Sequence, residues 1–228
     1  MNNQKNKSVD TKRKKPTLEM ARNDPASLYD KAYYTTGCSI DDTDSYGRHE
    51  PWLSFFGNAA AEITKAYQPK TVVDIGCAFG LLVEALCDRG VDAVGYDLSP
   101  YAISNARADM VERLKVHSIT DPIPLPNGKK YDLAICIEVL EHLPPEQAEI
   151  AIGNLCDASD RVIFSSSPDD FDEPTHFNVQ PTEKWLELFK HNSFFPAKNS
   201  SANYIAEQTF VVEKGRPKTG ILHRLFGR

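Results

Sequence analysis

The chain has 228 residues, 41% apolar and 25% charged, with a formal net charge of −6, the profile of a globular domain with tails rather than of a disordered or fibrous chain. No apolar stretch reaches membrane-spanning length, and the opening MNNQKNKSVD lacks the apolar centre of a secretory signal. Five cysteines (Cys38, Cys77, Cys87, Cys136, Cys156), with no C-x-x-C pair, argue against a disulfide scaffold, a zinc knuckle or an iron–sulfur cluster and for a reducing, cytoplasmic setting.

Charge is unevenly spread. Residues 1–15 carry six basic groups against Asp10, so the start is +5 and the remainder −11. A disordered basic tail is expected over 1–17, acting either as a solubilising segment or as a docking arm for an anionic partner. The main domain is expected over 18–213, followed by a basic C-terminal tail over 214–228. Residues 18–50 hold scattered aromatics (Tyr29, Tyr33, Tyr34, Tyr46) without a clear period. PWLSFFGNAAAEITKAYQP then reads as a packed helix between two prolines.

From Lys70 strands and helices alternate. TVVDIG is a strand, LLVEALCDRG a helix stopped by Gly90, VDAVGYDL a strand, and Ser99-Pro100 opens the helix YAISNARADM. RLKVHSI is a strand and DPIPLPNGKK a loop; YDLAICIE, RVIFSSSP and NYIAEQTFVVEK are further strands, with helices at PPEQAEIAIGNLCDA and PTEKWLELFKHN. Such alternation predicts a mostly parallel sheet covered on both faces, an α/β architecture with its ligand at the carboxyl ends of the strands.

Those ends carry the chemistry. VVDIGCAFG closes the first strand with Asp74 and supplies Gly76 and Gly80 before the helix. The pattern is D-x-G-x-x-x-G, without the middle glycine of a dinucleotide loop, and Asp74 suits an ammonium-bearing ligand better than a diphosphate. Asp97 ends the second strand, placed for the two hydroxyls of a ribose. After the fourth strand, EVLEHL offers Glu138, Glu141 and His142 at i, i+3, i+4; if the chain is helical from Glu138, all three share one side. FDEPTHFNVQPTEKW, after the fifth strand, brings His176 to the same sheet edge.

These motifs resemble the class I S-adenosylmethionine-dependent methyltransferases, over roughly 70–167 and more loosely over 29–213. The resemblance implies a Rossmann-like sheet of seven strands, mostly parallel with an antiparallel last strand. It implies that Asp97 holds the ribose, that Asp74, Gly76, Cys77, Ala78 and Gly80 border the methionine part, and that Leu98, Ser118 and Ile119 border the adenine. Ala78 stands where a third glycine is usual.

The set Glu138, Glu141, His142 and His176 is similar to the E-x-x-E-H…H arrangement of the RNA 3′-end and ubiquinone-pathway O-methyltransferases, in which it implies a divalent metal. Mg²⁺, Mn²⁺ and Zn²⁺ all suit mixed O and N ligands. His176 and His142 are the candidate catalytic residues, His176 as a ligand or as the base. A metal-free site built from the same residues, or a plain helix start, stays open. YDKAYYTTG and HEPWLSFFG look like bacterial methyltransferases of glycan or natural-product assembly, which makes Tyr33, Tyr34 and Arg48 lid or acceptor-contact candidates. The expected activity is methylation of a hydroxyl on a small-molecule or sugar-containing acceptor. The alternatives are an RNA 2′-O-methyltransferase, which the −11 body disfavours, and a non-catalytic cofactor-binding partner subunit.

Overall fold

A computed structural model describes residues 15–36, 45–198, 200 and 202–215. The basic residues 1–14, most of the acidic loop between Tyr34 and Tyr46, and the C-terminal 216–228 lie outside the described residues, and with them the readings made on both tails.

Seven strands form one sheet: β1 (Thr71–Ile75), β2 (Asp92–Asp97), β3 (Leu114–Val116), β4 (Leu133–Ile137), β5 (Arg161–Ser165), β6 (Phe194–Pro196) and β7 (Phe210–Lys214), in the order β3-β2-β1-β4-β5-β7-β6. The pairings from β3 through β5 are parallel, and β7 runs antiparallel to both β5 and β6. Strand order reverses between β1 and β4, so the crevice above these two strands is where a ligand fits.

Among the described residues, seven α-helices flank the sheet or precede it: α1 (Leu18–Asn23), α2 (Lys31–Thr36), α3 (Trp52–Tyr67), α4 (Leu81–Cys87), α5 (Pro100–Ser104), α6 (Ala148–Ala158) and α7 (Thr182–His191). Alternation along the strands divides the core in two. Val73, Ala134 and Cys136 pack with Ile152 and Leu155 of α6 and with Trp185 and Phe189 of α7. Val72, Leu133 and Ile135 pack with Ile63 of α3 and with Leu82 and Leu86 of α4. Every one of these side chains is 2% exposed or less, so the central strands are apolar on both faces, and each large side chain contributes about 1.5–3 kcal/mol. Among the described residues no helix is long and apolar enough to cross a membrane.

Several local readings change. The segment expected as one helix over YAISNARADM is a five-residue α5 followed by a 3₁₀ turn at Ala108–Met110, because Arg107 breaks out at ψ 134° to reach Asp88 and Asp109. SFFPA, assigned to no element above, supplies the short edge strand β6. Helices α1 and α2 lie where no period is visible, since they bury only Ala21, Tyr33 and Tyr34.

Candidate functional site

A cavity of about 430 Å³ opens over the carboxyl ends of β1, β2 and β4. Asp74, Gly76, Cys77, Ala78, Asp97, Leu98, Ser118, Ile119, Glu138, His142 and His176 all line it. Two residues expected at the cofactor and metal positions do not: Gly80 turns the chain into α4, and Glu141 is fully buried behind the wall.

The loop after β1 is shaped by its close neighbours. Gly76 has φ +77°, and a Cβ there would lie 2.2 Å from Val139 Cγ2. Gly80 has φ +73°, and its Cβ would lie 2.4 Å from Leu114 Cδ1. Both are positions at which an L side chain is strained and obstructed. Ala78 sits at φ +48°, a left-handed conformation costing about 1–2 kcal/mol, and its N–H donates to Asp97 Oδ2 at 2.8 Å. Asp97 Oδ1 accepts from Ser99 N at 2.7 Å, so one carboxylate ties the two loops together and still has lone pairs to offer.

Asp74 and Asp97 are 5% and 8% exposed. Burial, with the charge of Asp97 added, pushes the Asp74 carboxyl up to about 7. Burial also raises Asp97, to about 6, against the lowering pull of the Ser99 and Ala78 amides. Two carboxyls this costly to ionise are suited to a ligand that brings positive charge. The sulfonium and ammonium of S-adenosylmethionine would supply it, and the cavity residues fit that cofactor on this ground.

The acceptor side departs from the helical picture. Glu138 stands at φ +51° and the chain turns in a 3₁₀ loop only at Leu140–His142, so the i, i+3, i+4 spacing is not what assembles the group. Glu138 Oε1 accepts from Ser165 Oγ and, at 3.1 Å, from Gln208 Nε2. Glu141 turns inward, with Oε2 accepting from Ser166 Oγ at 2.9 Å and Oε1 from Ser167 N at 3.2 Å. Burial, reinforced by Glu138, holds the Glu141 carboxyl well above its usual range.

His142 Nδ1 faces the Thr175 carbonyl at 3.2 Å and Thr175 Oγ1 at 2.9 Å, and that hydroxyl donates to Glu173 at 2.9 Å. Both partners accept, so Nδ1 carries the proton and Nε2 keeps a lone pair. His176 repeats this arrangement, with Nδ1 2.8 Å from the Asp170 carbonyl. The two rings are 4.5 Å apart at 70°. Protein crowding, and His176 beside it, push His142 down to about 3, so it is neutral at working pH.

Glu141, His142 and His176 each offer a ligand atom, all within 4.8 Å of one another. Glu138 falls outside this group, its carboxylate being engaged by Ser165 and Gln208. Arg48, a lid or acceptor-contact candidate, is placed elsewhere. It does not line the cavity but clasps Glu84 of α4 with Nε at 3.0 Å and Nη2 at 3.2 Å. Tyr33 and Tyr34 do line it.

Residues 48–210 match the family described as "Methyltransferase domain". The chain belongs to this family. It carries a class I, S-adenosylmethionine-dependent methyltransferase domain, with the seven strands and antiparallel β7 that the resemblance implied. A ubiquinone biosynthesis O-methyltransferase of Nitrosomonas europaea is 32% identical over 114 residues, 48% of either chain. One from Aliivibrio fischeri is 28% identical over 156 residues, 64% of this chain and 65% of that one. The methyltransferase spans about half to two thirds of the length of these curated relatives. Among solved structures, the magnesium protoporphyrin IX methyltransferase of Synechocystis with bound S-adenosylmethionine aligns at TM-score 0.54 and 18% identity, over 86% of this chain and 93% of that one. An amino pentose methyltransferase of Micromonospora echinaspora aligns at TM-score 0.57 and 14% identity, over 74% and 94%. At such identities the likeness is one of fold.

Several lining residues of the methyltransferase have no sequence signal: His117, Asp170, Glu173 and Gln208 on loops, and Trp52 on α3. Behind the lining, the serine run at the end of β5 supplies partners for both glutamates, and Thr175, directly before His176, orients His142.

Proposed function

We propose that this methyltransferase transfers a methyl group to a hydroxyl of a small-molecule or sugar-containing acceptor, with Glu141, His142 and His176 holding a divalent cation on the acceptor side. The observation that carries this reading is the pair of imidazoles, each with Nδ1 committed to a backbone carbonyl and Nε2 left as a lone pair, beside a buried carboxylate. Held histidines of this kind are characteristic of metal ligands, which need a neutral ring in one tautomer. The O-methyltransferase names of the curated relatives support oxygen as the nucleophile.

The bound cofactor supplies an electrophilic methyl on its sulfonium. Asp74 and Asp97 hold its positive and ribose ends, and Gly76 lets the backbone approach without a side chain in the way. A cation such as Mg²⁺, Mn²⁺ or Zn²⁺ would favour the ionised form of an acceptor hydroxyl. Each Nε2 has one lone pair, so with a cation bound both histidines serve as ligands and the hydroxyl proton leaves to water; in a metal-free site built from the same residues, His176 Nε2 would take that proton. Tyr29, Tyr33 and Trp52 wall the cavity and limit water.

Chelator-treated protein, assayed with S-adenosylmethionine and a vicinal-diol acceptor, should regain activity on titration with one of the three metals. His176→Ala should lose at least about a hundredfold in kcat while still binding S-adenosylhomocysteine. Full activity in chelator would remove the cation from this reading, and an unimpaired His176→Ala would remove His176 as ligand or base.

A further inference from the structure

We infer that the acceptor half of the cavity selects uncharged or cationic acceptors and rejects anionic ones. This rests on the proposed hydroxyl methylation only for which bond is made, not for the charge preference itself.

The cavity lining contains five carboxylates and, among the described residues, no lysine or arginine. Asp74 and Asp97 at the cofactor end are matched by the cofactor, whose sulfonium and ammonium outnumber its single carboxylate. Glu138, Asp170 and Glu173 lie on the acceptor side and meet no lysine or arginine among the described lining residues. A divalent cation at the histidine pair brings two positive charges against the four carboxylates Glu138, Glu141, Asp170 and Glu173, which leaves this side negative. The arginines of the segments nearby are committed elsewhere: Arg22 to Glu146 at 2.6 Å, Arg48 to Glu84 at 3.0 Å, and Arg107 to Asp88 at 2.7 Å.

The facing wall is aromatic. Tyr29 and Tyr33 stand edge-on to His142, with ring centres 5.8 and 6.1 Å away, and Tyr46 packs on Trp52 at 4.6 Å. Ring faces attract cations and repel anions. A phosphate or carboxylate entering here would give up water, find no guanidinium fork or ammonium among the described residues, and lie close to fixed negative charge where screening is weak. A planar or apolar body, neutral or bearing an ammonium, meets rings on one side and carboxylates on the other. The same geometry disfavours a nucleotide sugar or an RNA 3′ end, whose phosphates would have to sit at the rim beside Asp170 and Glu173.

Three catechols that differ only in the substituent opposite one hydroxyl test this: ethyl, aminoethyl and carboxymethyl. Each is titrated calorimetrically into the full chain loaded with S-adenosylhomocysteine and then assayed for methylation. The ethyl and aminoethyl compounds should bind at least about tenfold more tightly than the carboxylate, about 1.4 kcal/mol. Asp170→Asn combined with Glu173→Gln should narrow the gap to a few-fold by improving the carboxylate. Equal or tighter binding of the carboxylate, failure of all three to bind, a gap unmoved by the double substitution, or submicromolar binding of a short RNA 3′ end would each overturn the inference. Binding in the expected order without methylation of any of them upholds it and counts against hydroxyl methylation instead.

Discussion

At Asp74 the carboxyl is almost sealed from water, 5% exposed, and is raised to about 7 by burial and by Asp97. Its folded value lies above the unfolded one, so its contribution to stability is greatest below about 4 and is lost as pH rises toward 7. Ligand binding has the opposite sign, because a cationic cofactor favours the ionised carboxylate. Affinity for S-adenosylmethionine measured by calorimetry should therefore rise about tenfold between pH 6 and pH 8, and Asp74→Asn should flatten that profile. Asp74, Gly76 and Asp97 were legible in the sequence because glycine and aspartate at strand ends have few other uses. Glu138 was legible as a site residue but not in its setting. Its φ of +51° and its bonds to Ser165 and Gln208 depend on strands paired across the sheet.

The element that completes the acceptor side is the loop between β5 and α7. It brings Thr175 and His176 to the 3₁₀ turn after β4, and Asn178 N donates to the Glu141 carbonyl at 2.8 Å to hold the two together. Thr175 is 1% exposed, and its hydroxyl orients His142 while donating to Glu173. Thr175→Val should cost about 1 kcal/mol in thermal or denaturant unfolding and weaken divalent-cation binding about tenfold or more, read by calorimetry on the chelator-stripped protein. An undiminished cation affinity would show that the Thr175 carbonyl alone orients the ring. The helix expected at Glu138 failed here for a physical reason: Leu140 and Glu141 are drawn into the interior, and a 3₁₀ turn turns them inward within a few residues.

Across the whole molecule, the segment before the sheet is fastened to the sheet layers at separate points. Arg48 grips Glu84 of α4 through both carboxylate oxygens, and Ser99 Oγ donates to the Tyr29 carbonyl at 2.5 Å beside the Asp97 loop. Glu84 is 5% exposed, with Arg107 Nε next nearest at 3.9 Å. Arg48→Gln should lower stability by about 2 kcal/mol, a drop of roughly 4–8 °C in Tm by calorimetry, with cofactor affinity changed far less. A drop of less than a degree would mean that Arg107 takes over the carboxylate.

The sequence by itself determined the alternating parallel sheet, both of its apolar faces, the strand ends that carry Asp74 and Asp97, and the loop after β5 that carries His176. Periodicity and turn residues are local properties, written within ten or so residues of each other. Only the tertiary structure decided that Glu141 rather than Glu138 joins the two histidines, that Arg48 is a tether, and that the cavity has carboxylates and rings but no lysine or arginine among its described residues. Those outcomes depend on which loops meet at the reversal of strand order, and contacts between β4, β5 and the segment before the sheet are set by packing over long sequence separations, where local pattern carries no information.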